Sequence, residues 1–183
     1  MLFMRVIAGR FKGRRLKAPT WDGLRPTADK LRETLFNVVA ARVAGARVLD
    51  GYAGTGAIGI EALSRGAAHV AFIERDRRAA ALIEENLAAC GVEGGYTVHC
   101  AEIVAALDLW PARDAFDLIL LDPPYDIENV SAVLAAAARR LAAGGLVVLE
   151  RATRQEPEVP ASLRRTRDLK SGDSTLTFFT RGD

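Results

Sequence analysis

The feature that most constrains this chain is an alternation of short apolar runs with helix-like stretches, sustained from Ala46 to Ala152. "ARVLDGY", "HVAFIER", "YTVHCA", "FDLILLD" and "LVVLERA" are too short and too continuously apolar for helices and read as buried strands. Between them lie "GAIGIEALSRG", "RRAAALIEENLAACG", "IVAALDLW" and "ENVSAVLAAAARRLAAGG", which carry helical periodicity, the first two closed by Gly66 and Gly91. Strands joined through helices must run parallel, with helices covering both faces of one sheet. The end of the chain breaks the pattern: "SLRRTRDLKSGDSTLTFFTR" reads as two strands around a Lys-Ser-Gly-Asp turn, an antiparallel hairpin at the sheet edge.

The start differs too. Residues 4–18 read as two short strands, "RVIAG" and "RRLKAP", around "RFKG". A helix follows, with Thr27 able to cap it, Asp29 in its first turn, Leu31, Leu35, Phe36, Val38 and Val39 on its apolar face, and Gly45 at its end. Net charge over the 183 residues is only +2, but residues 1–32 hold nine basic against two acidic side chains, or +7, leaving −5 for the rest. Such asymmetry suits a polyanion at the N-terminal segment, or an ordinary solvated edge. No apolar run reaches the roughly 18 residues of a membrane span, and no signal-like segment opens the chain. Cys90 and Cys100 make no metal pattern with His69 and His99, which suits free thiols in a reducing cytoplasm.

"LDGYAGTGAIGIEAL" sits between the first core strand and its helix. It holds Gly54, Gly56 and Gly59 at GxGxxG spacing, with Glu74 twenty residues beyond Gly54. That pattern places a nucleoside-type cofactor at the sheet's switch point. Asp50 chooses between cofactors. A carboxylate directly before the loop repels the pyrophosphate of a dinucleotide but attracts the ammonium and sulfonium of S-adenosylmethionine (SAM). Glu74 can accept hydrogen bonds from ribose hydroxyls. Glu102 lies near the expected adenine and serves equally well as an acid at a helix start.

"DPPY", Asp122 to Tyr125, follows the fourth core strand. Proline ends the strand and fixes a turn. The turn collects a carboxylate, a rigid carbonyl and an aromatic ring beside the cofactor crevice. An exocyclic base amine needs acceptors on its N–H bonds before its lone pair can attack a methyl group, and Asp122 and the Pro123 carbonyl offer two. Tyr125 offers a surface on which a flipped base can stack. Alone, Pro-Pro could be a mere strand stop. In register with Asp50, Gly54, Gly56 and Glu74 it reads as a catalytic turn.

Together "MRVIAGRFKGRRLKAP", "LRPTADKLRETLFNVV", "VLDGYAGTGAIGIEALSRGA", "IERD" and "FDLILLDPPYD" resemble the bacterial RsmD-like family, from residue 4 to about residue 150. The resemblance implies a class I SAM-dependent methyltransferase fold of the α/β, Rossmann-like type. That fold has a mostly parallel sheet of about seven strands with an antiparallel C-terminal hairpin edge, plus a small N-terminal basic β-hairpin. It implies methylation of guanine N2 in 16S rRNA, with the small ribosomal subunit or its assembly intermediate as partner. Neither metal nor membrane is expected, and the chain is expected to be a cytoplasmic monomer. The implied cofactor site is Asp50, Gly51, Tyr52, Ala53, Gly54, Thr55, Gly56, Glu74, Arg75, Glu102 and Ile103, and the catalytic turn is Asp122, Pro123, Pro124 and Tyr125. The implied RNA contacts are Arg5, Arg10, Lys12, Arg14, Arg15, Lys17 and Arg25, with residues 1–24 as the RNA-contacting extension and 25–183 as the methyltransferase domain. Arg25-Pro26-Thr27 either bridges hairpin and cofactor pocket or merely starts a helix. The pattern departs from the family at Gly51-Tyr52, where Leu-Phe is commoner, and at Glu102, where Asp is usual. Rival readings are an amino-directed methyltransferase acting on adenine N6 or protein glutamine, a non-catalytic RNA-binding assembly factor, and an NAD-dependent oxidoreductase.

Overall fold

A computed structural model describes residues 4–19, 21, 29–124, 127 and 129–182. Tyr125, Arg25, Pro26 and Thr27, all singled out above, lie outside the described residues. The core strands are β3 (Arg47–Gly51), β4 (His69–Glu74), β5 (Tyr96–Cys100), β6 (Phe116–Leu121) and β7 (Leu141–Ala152). The helices after the first four of them are α2 (Ala57–Ser64), α3 (Arg77–Ala89), α4 (Ile103–Leu109) and α5 (Val130–Arg140). With β8 (Leu163–Ser171) and β9 (Ser174–Arg181) they make a seven-stranded sheet of order β5-β4-β3-β6-β7-β9-β8. All pairs from β5 through β7 are parallel. The strand order reverses between β3 and β6, so the carboxyl ends of those two strands flank the crevice where open α/β sheets bind ligands.

The C-terminal hairpin forms as expected, with Gly172 at φ +61° in a two-residue turn between Ser171 and Ser174. The last strand is the inner one: β9 pairs antiparallel with β7, and β8 lies outside it. Leu176 and Phe178 thereby join one core layer, and Phe179 the other.

The helix expected through Gly145 stops at Arg140. Gly144 and Gly145 would each cost a helix about 1 kcal/mol. Leu141 instead turns extended and pairs with Phe116, and the β6–β7 register shifts between Phe116 and Leu118. Arg140 holds the neighbouring helix end, donating from Nε to the Leu107 carbonyl at 2.6 Å.

Two apolar layers sandwich the sheet. One packs α1 (Asp29–Val43), α2 and α3 against Val48, Phe72, Leu120 and Val148; the other packs α4 and α5 against Leu49, Ile73, Leu121 and Leu149. Leu31, Leu35, Phe36 and Val39 of α1 are buried as its periodicity requires. Gly59 is needed where α2 crosses the sheet, since a Cβ there would lie 2.2 Å from the Phe72 ring.

The N-terminal hairpin is minimal: β1 (Met4–Arg5) pairs with β2 (Arg15–Leu16). It is fastened to α2 and α3. The Glu61 carboxylate, fully buried, accepts from Ile7 N at 2.7 Å and Ala8 N at 3.0 Å. Ser64 Oγ accepts from Phe11 N, and Asn86 Oδ1 from Lys17 N. Met4, Val6, Phe11 and Leu16 share the apolar layer of α2.

Candidate active site

The loop between β3 and α2 is built by its own backbone. Ala53 N donates to the Ile73 carbonyl and Gly56 N to the Ala53 carbonyl. Gly54 and Gly56 take φ of +57° and +77°, which glycine adopts at no steric cost. Tyr52 also stands at positive φ, +63°, the one non-glycine residue to do so among those described. A side chain there costs roughly 1–2 kcal/mol, and such strain gathers at functional sites. Gly51 has no room for a side chain, because a Cβ would meet Leu121 at 2.7 Å and Ile103 at 3.1 Å.

Asp50 is 1% exposed, and its Oδ2 accepts from Gly59 N at 2.8 Å. Burial pushes its carboxyl well above the usual range; the Gly59 N–H opposes this, while Asp122 and Glu74 add to it. Glu74 ties the loop to the next turn, its Oε2 accepting from Gly54 N at 2.9 Å and its Oε1 from Asp76 N at 2.8 Å. Each Glu74 oxygen keeps a second lone pair for a hydroxyl donor. Glu102 is exposed and sits at the N-cap of α4 without making a side-chain cap, so its carboxylate is not engaged there. It lies close enough to Tyr52 that, after burial, it is the next cause raising the phenol's pKa; Arg75 works the other way. Tyr52 therefore stays a protonated donor beside Glu102. Thr55 is buried and turns its hydroxyl toward Met4 Sδ, while its carbonyl accepts from Asn86. Arg75 is exposed and Ile103 is buried beneath the loop.

The turn after β6 adjoins this loop. Asp122 N donates to the Gly51 carbonyl at 3.4 Å, joining the ends of β6 and β3. Pro123 is buried and Pro124 exposed. The Pro124 carbonyl accepts from Ile127 N. Beyond the prolines opens a cleft of about 310 Å³ that reaches the N-terminus of α5 and residues 155–158. Glu150, at the same end of β7, lines this cleft and also a small niche that holds Asp122. Its only sequence signal is an acid closing the apolar run "LVVLE".

An anion would find no welcome at this edge. Asp50, Glu74, Glu102 and Asp122 surround the glycine loop, and the described partners of Asp50 and Glu74 are backbone N–H groups. That donor set fits a cationic ligand with ribose hydroxyls. It does not fit a pyrophosphate.

The basic hairpin is placed otherwise than its charge count suggests. Met4 lies by Thr55 at the start of α2, whereas Arg10 N donates to the Ser64 carbonyl at its end. The eight residues of α2 span about 12 Å, so the hairpin tip sits near the amino ends of the strands. Arg14 donates to the Cys90 carbonyl, and Lys17 pairs with Glu85 at 2.8 Å. Arg10 lies over the Phe11 ring, and Lys12 and Arg15 are exposed. The Arg5 carbonyl accepts from the buried Arg32.

A family model described as Conserved hypothetical protein 95 matches residues 4–180. YlbH of Bacillus subtilis, named as a "Putative rRNA methyltransferase", is 38% identical over 182 residues, covering 97% of this chain and 99% of that protein. The Ribosomal RNA small subunit methyltransferase D of Escherichia coli is 39% identical over 122 residues, which are 67% of this chain and 60% of that protein. The solved structure of the Escherichia coli protein yhhF superposes with a TM-score of 0.84 at 32% identity, covering 98% of both chains.

Proposed function

The chain belongs to the RsmD-like family, and from that premise we propose that it transfers a methyl group from SAM to the exocyclic N2 amine of a guanine in 16S rRNA. The observation that carries this reading is the hydrogen bond from Asp122 N to Gly51 O, which sets the Asp-Pro-Pro turn against the glycine loop at the switch point of the sheet. Bound SAM supplies an electrophilic methyl on a sulfonium. Asp50 holds the loop through Gly59, and a cation bound beside it favours the ionised carboxylate that burial alone disfavours. Glu74 receives the ribose hydroxyls and Glu102 the adenine side. Tyr52, Ala53, Gly54 and Gly56 shape the loop around the ligand, with Ile103 beneath it and Arg75 at its rim.

Asp122 and the Pro123 carbonyl accept from the two N–H bonds of the target amine, which turns its lone pair toward the methyl. The proton released after transfer passes to Asp122. Tyr125 offers the ring on which the base stacks, and Pro124 follows Pro123 in the turn. The hairpin residues Arg10, Lys12 and Arg15, with Arg5 and Arg25, hold rRNA phosphates and fix position rather than sequence. Residues 1–24 act as the RNA-contacting extension of the domain formed by 25–183. The protein works without a metal, as a cytoplasmic monomer, on the small subunit or its precursor.

Mass spectrometry of rRNA nucleosides from cells lacking the gene tests the reading. Loss of one N2-methylguanosine, restored by the parental gene, is expected. Unchanged N2-methylguanosine with loss of a methylated adenine would favour the adenine N6 reading instead.

A further inference from the structure

One buried charge beside the site has no part in the mechanism above. Glu150 is 8% exposed. β6 and β7 pair Leu120 with Val148 and Leu121 with Leu149. Continued one step past the end of β6, that register brings Asp122 level with Glu150 on the same face, at the spacing of about 4.8 Å between neighbouring strands. Both line the niche against Leu31 and Leu35 of α1. Glu150 also lines the larger cleft that Pro123, Pro124 and Gln155 border, and among the described residues it is the one shared by the two spaces. It thus borders both the niche of Asp122 and a space of about 310 Å³, within the range that accepts a small ligand or a flipped base.

The far wall of that space is fixed in advance. Arg151, 5% exposed, donates from Nη1 to the Gln155 carbonyl at 2.5 Å, from Nη2 to Glu156 and Asp168 at 3.3 Å each, and from Nε to Thr177 Oγ1 at 2.9 Å. The segment opposite the prolines is therefore tied to β7, β8 and β9, and the cleft does not depend on a ligand to form.

We propose that Glu150 is a specificity-determining residue for guanine, accepting the N1–H of the base while Asp122 accepts from the neighbouring 2-amine. The proposal rests on the methyltransferase reading above. Guanine presents N1–H and the 2-amine side by side, and two carboxylates on adjacent strands match that pair of donors. Adenine presents a bare N1 acceptor, which a carboxylate repels. No bond is made or broken at Glu150; it selects the base and sets its angle to Asp122.

The test uses small-subunit substrates carrying either guanine or 2-aminopurine at the methylated position. 2-Aminopurine keeps the 2-amine but has an acceptor at N1. For the parental enzyme, kcat/KM is expected to be at least about tenfold lower on 2-aminopurine. Glu150→Gln, whose amide can donate to that N1, is expected to bring the ratio at least fivefold closer to unity, with SAM affinity and melting temperature unchanged. Equal parental activity on the two bases overturns the proposal without any variant. So does a guanine preference that Glu150→Gln leaves intact. Parental transfer to neither base overturns the methyltransferase reading itself, which separates that failure from the failure of Glu150's role.

Discussion

The carboxyl edge of the sheet and the N-terminal hairpin handle charge in opposite ways. At the edge, Asp50 and Glu74 are held by backbone N–H groups of Gly59, Gly54 and Asp76. Those bonds aim the carboxyl oxygens at the loop without any basic side chain among their described partners, and at Asp50 a bound cation would favour the ionised form that burial alone disfavours. In the hairpin, part of the positive charge is used to hold the segment down: Arg14 on the Cys90 carbonyl, Lys17 on Glu85. Counting charges in a sequence therefore understates the first region and overstates the second.

A hairpin not bound to the core would undo this difference most severely. Glu61 holds Ile7 N, Ala8 N and Arg65 from a fully buried position. Glu61→Ala should cost roughly 3–5 kcal/mol in urea unfolding, as for one partner lost from a buried pair. It should also speed proteolysis between Arg5 and Lys17. A loss under about 1 kcal/mol would mean that the hairpin rests on the core without being fastened to it.

At the edge, Glu74→Ala should weaken SAM by roughly 1.5–3 kcal/mol in calorimetry, the range for hydrogen bonds to a charged group. Asp50→Asn separates binding from folding. Burial raises the Asp50 pKa in the folded state, so the folded protein binds that proton more tightly than the unfolded chain does. Stability then falls as pH rises above the ordinary carboxylate range. Asn keeps an acceptor for Gly59 N and removes the charge. The ligand-free variant should be about 0.5–2 kcal/mol more stable at neutral pH, with a flatter pH dependence, while binding SAM more weakly. A variant that is less stable and binds SAM as before would show that Asp50 serves the fold alone.

Much of this contrast could be read from the chain, and the part that could not is instructive. The alternation of strands and helices, the glycine loop and the Asp-Pro-Pro turn are local patterns, each set within a few residues by period, φ requirement or proline. What escaped depends on pairings remote in sequence. Nothing near Glu61 announces Ile7, and nothing near Arg14 announces Cys90. Glu150 shares a niche with Asp122 only because β7 lies beside β6. The inner placement of β9 and the early end of α5 follow from which strand edge was free. The Thr55 hydroxyl, counted with the cofactor loop, faces Met4 because the hairpin packs there.

The smallest effect sharpens the hairpin's side. From sequence alone, Arg10, Lys12 and Arg14 count as three phosphate contacts. With Arg14 engaged, Arg10→Ala with Lys12→Ala should flatten the slope of log K against log salt by about 1.5, at about 0.7–0.9 per contact. Adding Arg14→Ala should change that slope little further and cost about 1 kcal/mol of stability. A third equal step in the slope would return Arg14 to the RNA.

The division of labour is tested most directly by single-turnover methyl transfer from labelled SAM to small subunits of cells lacking the gene, at saturating subunit and cofactor. Asp122→Ala should lower the rate by about 10²–10⁴ with SAM affinity intact, as expected for loss of a positioned proton acceptor. The double change of Arg10 and Lys12 to Ala should leave that saturated rate at the parental value. Parental turnover by Asp122→Ala would contradict the account, because the turn after β6 would then be a strand stop and the chemistry would lie elsewhere.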